Sequence, residues 1–409
     1  MTVRYKQDRI ICFAILIRME KNKTDNSSLK QGSDMDLSRM AKLDLPSLLE
    51  WYRKNRRDLP FRKQRDPYKI WISEIMSQQT RIEAMLGYYE NFIHQWPDLP
   101  SLAQADDDQL HKAWQGLGYY SRARNLKKAA QVCVANHQGK LPETKAELKK
   151  LPGIGDYTAG AIASIANNER CTAIDGNVIR VLARYYWLDN DFFSAREKKK
   201  LEQILTSQLP ASEDMPDFTQ ALMELGARIC MPKKANCSAC PLKNGCAGAR
   251  QADPLELPKK KVKAEKKTED KIVVLLAGQK EGQWYLHIRK RPDTGLLAGL
   301  YEFDSSLKDY EESRMNQSSN LRQSVARLCV EKRIDLGEYS HVFSHKIWNM
   351  KGELLIVAVQ DDFVSVDEIE KFSAIPSAFM PFYQRAVKIL ETLAALKNQP
   401  HSQKMDQCG

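Results

Sequence analysis

Long apolar runs are missing from this chain. The longest, IICFAILI (Ile10–Ile17), falls well short of the ~18 residues a membrane helix needs, so no helical span and no membrane partner are expected. It also lacks the small-residue cleavage site of a secretory signal. A disulfide framework is missing too: the cysteines bunch instead of spreading, which excludes a small secreted stapled fold and fits a reducing compartment. No histidine lies beside the bunched cysteines, and no internal repeat is present, so a solenoid is excluded.

What is present is an ordinary soluble composition, 43% hydrophobic and 28% charged over 409 residues, long enough for two or three domains. Lys and Arg number 63 against 52 Asp and Glu, a net charge of +11. That excess points to a polyanion, nucleic acid before membrane, with a merely basic soluble enzyme as the bland alternative. Residues 1–40 end in the polar, turn-rich KNKTDNSSLKQGSD and its flank, and read as a disordered extension ahead of a start at Met35 or Met40.

From Leu43 the pattern is helical. In RIEAMLGYYENFIHQW the apolar positions recur every three or four residues, and Asp66-Pro67 opens a helix carrying Glu74. Thr144–Glu147 and Ser194–Glu197 form capping-box patterns. The region 41–250 is therefore expected to be all-α. ADPLELPKKKVKAEKKTED (Ala252–Asp270) reads as an exposed basic linker, bounded as 251–270, whose lysines either track phosphates or simply form a solvated charge run. Beyond it KIVVLLAG, GQWYLHIRK and LLIVAVQ read as strands, and SNLRQSVARLCVEK and AFMPFYQRAVKILETLAAL as helices. The stretch 271–395 is thus an α+β domain, followed by a tail, 396–409.

Three constellations carry chemistry. In LPGIGDYTAG, Gly153 and Gly155 permit a tight turn, Asp156 is placed to cap the next helix, and outward N–H groups form a phosphate cradle, a helix-hairpin-helix over about 144–166. Asp175 precedes a helix whose dipole and free N–H groups at Gly176 and Asn177 favour its charged form; as an isolated D-G-N it is a plain N-cap. Glu74, among Ile72, Ile75 and Met76, is expected to have its pKa raised by burial, or else to be a partly buried ion-paired glutamate. One carboxylate held ionised and another held protonated suit cleavage of a glycosidic bond through an oxocarbenium-like transition state. Cys230, Cys237, Cys240 and Cys246, spaced C-x6-C-x2-C-x5-C, read as four thiolate ligands of a 4Fe–4S cluster, with zinc the alternative; Lys233 and Lys234 make the loop a basic protrusion.

Together WISEIMSQQT, GLGYYSRARNL, LPGIGDYTAG, IDGNVIRVLAR and the cysteine spacing resemble the helix-hairpin-helix, Gly-Pro-Asp superfamily of DNA glycosylases, and within it the adenine-specific MutY family. The resemblance is strong over about 43–250 and looser over 271–395. It implies that Glu74 protonates adenine N7 and helps to position water, and that Asp175 stabilises the oxocarbenium centre. It places Tyr157 and Asn177 along the cleavage site. It puts Gln79 and Thr80 around the base opposite the target, with Leu117 and Tyr119 filling the stack. GLLAGLYEF and Phe343-Ser344-His345 resemble the family's Nudix-like module, which implies contacts to 8-oxoguanine from Ser344 and His345. The acidic signature of metal-binding Nudix hydrolases is missing, so recognition and not pyrophosphate hydrolysis is implied.

The chain departs from the family at Ser77, where leucine is usual, and at Asp304, where proline is common. The implied activity is excision of adenine from A·8-oxoguanine or A·G mispairs in double-stranded DNA, by a monomer, in the cytoplasm and associated with the nucleoid. Two competitors are a glycosylase/lyase acting on oxidised pyrimidines and a non-catalytic iron–sulfur DNA-binding protein. The lyase requires a lysine amine where this chain has Tyr157.

Overall fold

The computed structural model describes residues 41–192, 194–251, 253–259, 265–307 and 329–397. The N-terminal extension, the middle of the basic linker, most of the helix expected over 319–332 and most of the tail lie outside the described residues. Among the described residues no helix is long and apolar enough to cross a membrane.

The first region is built of helices α1 (Leu45–Asn55), α2 (Pro67–Ser77), α3 (Ile82–Gln95), α4 (Leu99–Ala103), α5 (Asp107–Ala113), α6 (Ser121–Asn136), α7 (Lys145–Leu148), α8 (Asp156–Asn167), α9 (Gly176–Tyr186), α10 (Ala195–Thr206) and α11 (Met215–Arg228). Local chemistry starts them. The Asp66 carboxylate accepts from the N–H groups of Tyr68 and Lys69 at the head of α2, where Pro67 forfeits no hydrogen bond. Asp98 and Ser101 cap each other's backbone at α4.

Helix α8 is unlike the rest. Ala159, Gly160, Ala161 and Ala163 are small and buried, which lets its backbone come close to α2 and α11. Helix α9 packs on α11 in turn. Four helices from distant parts of the chain thereby meet around one cleft.

Asp156 does not cap α8. The N-cap is Gly155, without a side-chain bond, and the Asp156 carboxylate instead takes Lys149 at 2.8 Å and Lys145 at 3.0 Å. Two nearby ammonium groups outcompete a local backbone donor for the charge.

The second domain begins at Lys267, earlier than its composition implies, because the lysine-rich end of the linker is already strand β1 (Lys267–Lys280). The linker's start is not free of apolar anchoring either: Leu257 is buried, and its carbonyl accepts Arg184 Nε at 2.8 Å. The other strands are β2 (Gln283–His287), β3 (Arg289–Lys290), β4 (Tyr301–Glu302), β5 (Asp304–Leu307), β6 (Lys332–Val342), β7 (Lys346–Ile356) and β8 (Phe363–Ser365). So GQWYLHIRK breaks after His287 into two strands, and LLIVAVQ only ends a strand that starts at Lys346.

The sheet runs β6-β7-β1-β2-β8, with β5 also paired to β1; β1 and β7 are parallel and the other pairings antiparallel. Strand alternation sends Val273 and Leu275 to one face, against Phe303, Phe379 and Phe382, and Val274 and Leu276 to the other. Helices α12 (Val366–Phe372) and α13 (Met380–Lys397) complete the α+β fold.

The domains share a seam. Asp108 takes Lys290 Nζ at 2.6 Å and the Tyr301 hydroxyl at 3.0 Å, and Arg124 Nη1 donates to the Ala298 carbonyl at 2.7 Å. Lys112 Nζ donates to the carbonyls of Ile369 and Ser373. Leu300 and Ala374, from the second domain, are buried in the same cluster as Trp71 and Phe92 of the first.

Candidate active site

The cleft between α2, α8, α9 and α11 encloses about 1220 Å3 and is lined by Glu74, Tyr157, Asp175 and Asn177. Gln79 and Thr80 stand along the same cleft. Each catalytic candidate sits where its helix dictates: Glu74 in the last turn but one of α2, Tyr157 in the first turn of α8, and Asp175 as the N-cap of α9.

The Tyr157 hydroxyl donates to Glu74 Oε2 at 2.5 Å and lies 3.9 Å from Met223 Sδ. Burial pushes Glu74 up to about 7; the bond from Tyr157 opposes this, the charge of Asp175 adds to it, and Arg62 opposes it. Near neutral pH this carboxyl can therefore both hold and release a proton. Tyr157 is raised well above the phenolic range by burial and by the two carboxylates, so it acts as a neutral donor.

Asp175 Oδ1 accepts the Val178 N–H at 2.7 Å and Oδ2 accepts Asn177 Nδ2 at 2.7 Å. Of the two N–H groups expected from sequence, that of Asn177 bonds the carboxylate, while Val178 and the Asn177 side chain serve in addition. The balance also differs. Burial raises the pKa of Asp175, and the bonds from Val178 and Asn177 and the charge of Arg180 only partly offset it. A helix N-terminus alone does not outweigh desolvation at this depth.

Asn177 is itself held: Arg180 Nη2 donates to its side-chain carbonyl and to Gly226 O, both at 2.7 Å, while Arg180 Nε donates to Cys230 O at 2.7 Å. A side chain at Gly226 would put a Cβ 2.6 Å from that of Asn177, so only glycine lets α11 pass.

The same cleft is lined by three residues that sequence reasoning missed. Glu224 is fully buried and takes Arg57 through both oxygens, at 2.8 and 2.9 Å, and Arg62 at 2.9 Å. Burial would raise Glu224, but the two guanidinium groups prevail and lower it. With Leu59, Phe61 and Met223 they line part of the cleft, setting apolar surface beside fixed donors. In sequence, RKNRRDLPFR reads only as a basic stretch, and its carboxylate partner lies on α11.

The hairpin turn is distinct from this cleft. Gly153 has φ +75°, and a Cβ there would lie 2.6 Å from that of Asn125 on α6. Gly155 has ordinary backbone angles and faces open space. Tyr119 is 49% exposed, whereas Leu117 is buried in the core, so only the tyrosine stands out as a free wedge.

Cys230, Cys237, Cys240 and Cys246 line one small cavity beside Arg184 and Lys243. Backbone N–H groups point at two of the sulfurs, that of Leu242 at Cys240 and those of Gly248 and Ala249 at Cys246. Among the described residues no three His, Cys, Asp or Glu side chains converge as a single-ion site requires.

In the second domain, Ser344 and His345 are exposed at the β6–β7 turn. Phe343 is turned inward, its ring 4.5 Å from His341 and 4.7 Å from Trp348, and its carbonyl is taken by Lys266. It anchors the turn that presents the other two.

Residues 72–211 match the HhH-GPD superfamily of base excision DNA repair proteins, and residues 273–385 match the NUDIX domain. The chain is similar to the adenine DNA glycosylase of Arabidopsis thaliana, 37% identical with 76% of this chain and 56% of that protein covered. It is also similar to that of Mus musculus, at 35% with 73% and 68% covered, and to that of Buchnera aphidicola subsp. Baizongia pistaciae, at 33% with 73% and 82% covered. The chain thus spans little more than half the length of the plant protein and most of the bacterial one. A helical cleft holding an acid, a phenol and an N-cap aspartate, a NUDIX domain docked beside it, and relatives matched across both place this chain in the adenine DNA glycosylase family.

Proposed function

We propose that the protein excises adenine paired with 8-oxoguanine or guanine in double-stranded DNA, acting as a monofunctional glycosylase and as a monomer in the nucleoid. The observation that carries this reading is the Glu74–Tyr157 hydrogen bond beside Asp175, the N-cap of α9, in one cleft. Glu74 in its acid form donates a proton to N7 of the flipped adenine as the C1′–N9 bond breaks and its electron pair moves into the purine. Asp175 carries the charge that stabilises the cationic sugar. The carboxylate left on Glu74 then accepts a proton from the water whose oxygen bonds C1′. Tyr157 offers no amine, so no Schiff base forms and the strand stays intact.

Arg57, Arg62, Glu224 and Phe61 line the cleft and would offer a flipped purine fixed donors and an aromatic face. Gly153 and the head of α8 hold the backbone, Gln79, Thr80 and Tyr119 take the gap, and Ser344 and His345 inspect the opposite base.

A 4Fe–4S cluster is proposed at the four cysteines, because they line one cavity with no histidine among them and backbone N–H groups face the sulfurs of Cys240 and Cys246. Bound there, the cluster would supply a cross-link that orders the loop and a one-electron centre.

Single-turnover excision on duplexes carrying A·8-oxoguanine, A·G and thymine glycol tests the reading. Adenine release from the first two without strand scission is expected. Release of thymine glycol with strand nicking would overturn it.

A further inference from the structure

The last turn of α2 leaves carbonyls that no helical N–H can reach. A single side chain from α6 takes them. Arg122 Nη1 lies 2.7 Å from Ile75 O, 3.3 Å from Met76 O and 2.9 Å from Gln78 O. Its other terminal nitrogen, Nη2, donates to Leu117 O at 2.8 Å and Gly118 O at 3.0 Å. One guanidinium thus joins two chain reversals that are far apart in sequence.

Just past each reversal stands a non-glycine residue in the left-handed region, Gln79 with φ 61° and Tyr119 with φ 47°. Side chains resist that conformation unless the surroundings over-determine it. Two of the carbonyls gripped by Arg122, those of Gln78 and Gly118, belong to the residues immediately before these two, so the clamp sets their backbones. The guanidinium also lies 5.8 Å from the Tyr119 ring and 5.3 Å from that of Trp114, which fixes the direction of the exposed tyrosine. An ammonium at this place has no planar fork and cannot reach five acceptors.

From this geometry we infer that Arg122 is a positioning residue that aims Gln79 and Tyr119 as a pair into the DNA gap. It sets how far the target base is extruded while leaving the proton chemistry of Glu74 alone. The inference rests on the function proposed above.

The test uses the full-length protein and a duplex with 2-aminopurine in place of the target adenine opposite 8-oxoguanine, read by fluorescence before cleavage. Arg122→Lys should lower the extruded fraction about tenfold, equivalent to about 1.4 kcal/mol. Single-turnover excision of adenine should fall by the same factor, with the midpoint of its pH profile unmoved. In a Gln79→Ala/Tyr119→Ala background the same change should cost nothing further. An equal additional loss in that background, or a shifted pH midpoint with extrusion intact, would overturn the inference. Thermal melting shows which variants are folded; if Arg122→Lys is not, Arg122→Gln, whose planar amide keeps two donors, takes its place in the same cycle. If the wild-type protein neither extrudes nor excises, it is the proposed function that fails and not the clamp.

Discussion

Replacing Glu74 with glutamine should make the protein more stable while abolishing excision, and the gain should depend on pH in one direction only. Burial holds the folded carboxyl at about 7 against an ordinary 4.5. The folded state therefore prefers the protonated form. Below pH 4.5 the carboxyl is neutral in both folded and unfolded chains, and Glu74 costs nothing relative to glutamine. As pH rises from 4.5 to about 7 the unfolded chain sheds its proton first, and native stability is lost; above 7 the deficit is constant. The gap from 4.5 to about 7 corresponds to on the order of 3 kcal/mol.

Glutamine keeps the shape and still accepts from the Tyr157 hydroxyl, so the comparison isolates the charge. Melting temperatures of the two proteins should coincide near pH 4.5 and separate by about 3 to 5 °C at pH 8.5. Over the same range wild-type excision should fall as pH rises through about 7, because the acid form is the proton donor. A glutamine variant no more stable than wild type at pH 8.5, or equally more stable at both ends, would refute the burial argument.

Tyr157→Lys should give a borohydride-trappable crosslink to DNA, since the amine would sit where the hydroxyl now meets Glu74; no crosslink would mean that position 157 does not reach the sugar. Glu224→Gln should destabilise the fold by roughly 3 kcal/mol, because it leaves Arg62 without its carboxylate and Arg57 with only the exposed Glu83 at 3.7 Å. Unfolding in urea measures it, and an unchanged midpoint would show the pair to be spectators.

Much of the site was legible because its residues carry local signals. Glu74 lies within an apolar helical repeat, Asp175 before a helix, and the cysteines within one loop. Partners joined only by tertiary packing left no such trace. Asp156 has the position of a cap, yet two lysines from the preceding helix and turn claim it. Glu224 is one more polar residue on α11 until Arg57 and Arg62 are seen folded against it. Arg122 falls inside GLGYYSRARNL together with two of its acceptors, Leu117 and Gly118, but the other three lie at the end of α2. The domain boundary moved for a related reason: lysines favour exposed linkers, and the outer end of β1 is exposed enough to tolerate them.

The seam between the domains has a consequence for inheritance. Leu300 arrives from the second domain to complete the core of the first, and shortening it to alanine would cost about 2 to 5 kcal/mol. The two regions are therefore not modules that selection can exchange freely. A harmful substitution in either one can be compensated in the other, and a lineage that sheds the second domain must first refill the hole that Leu300 would leave.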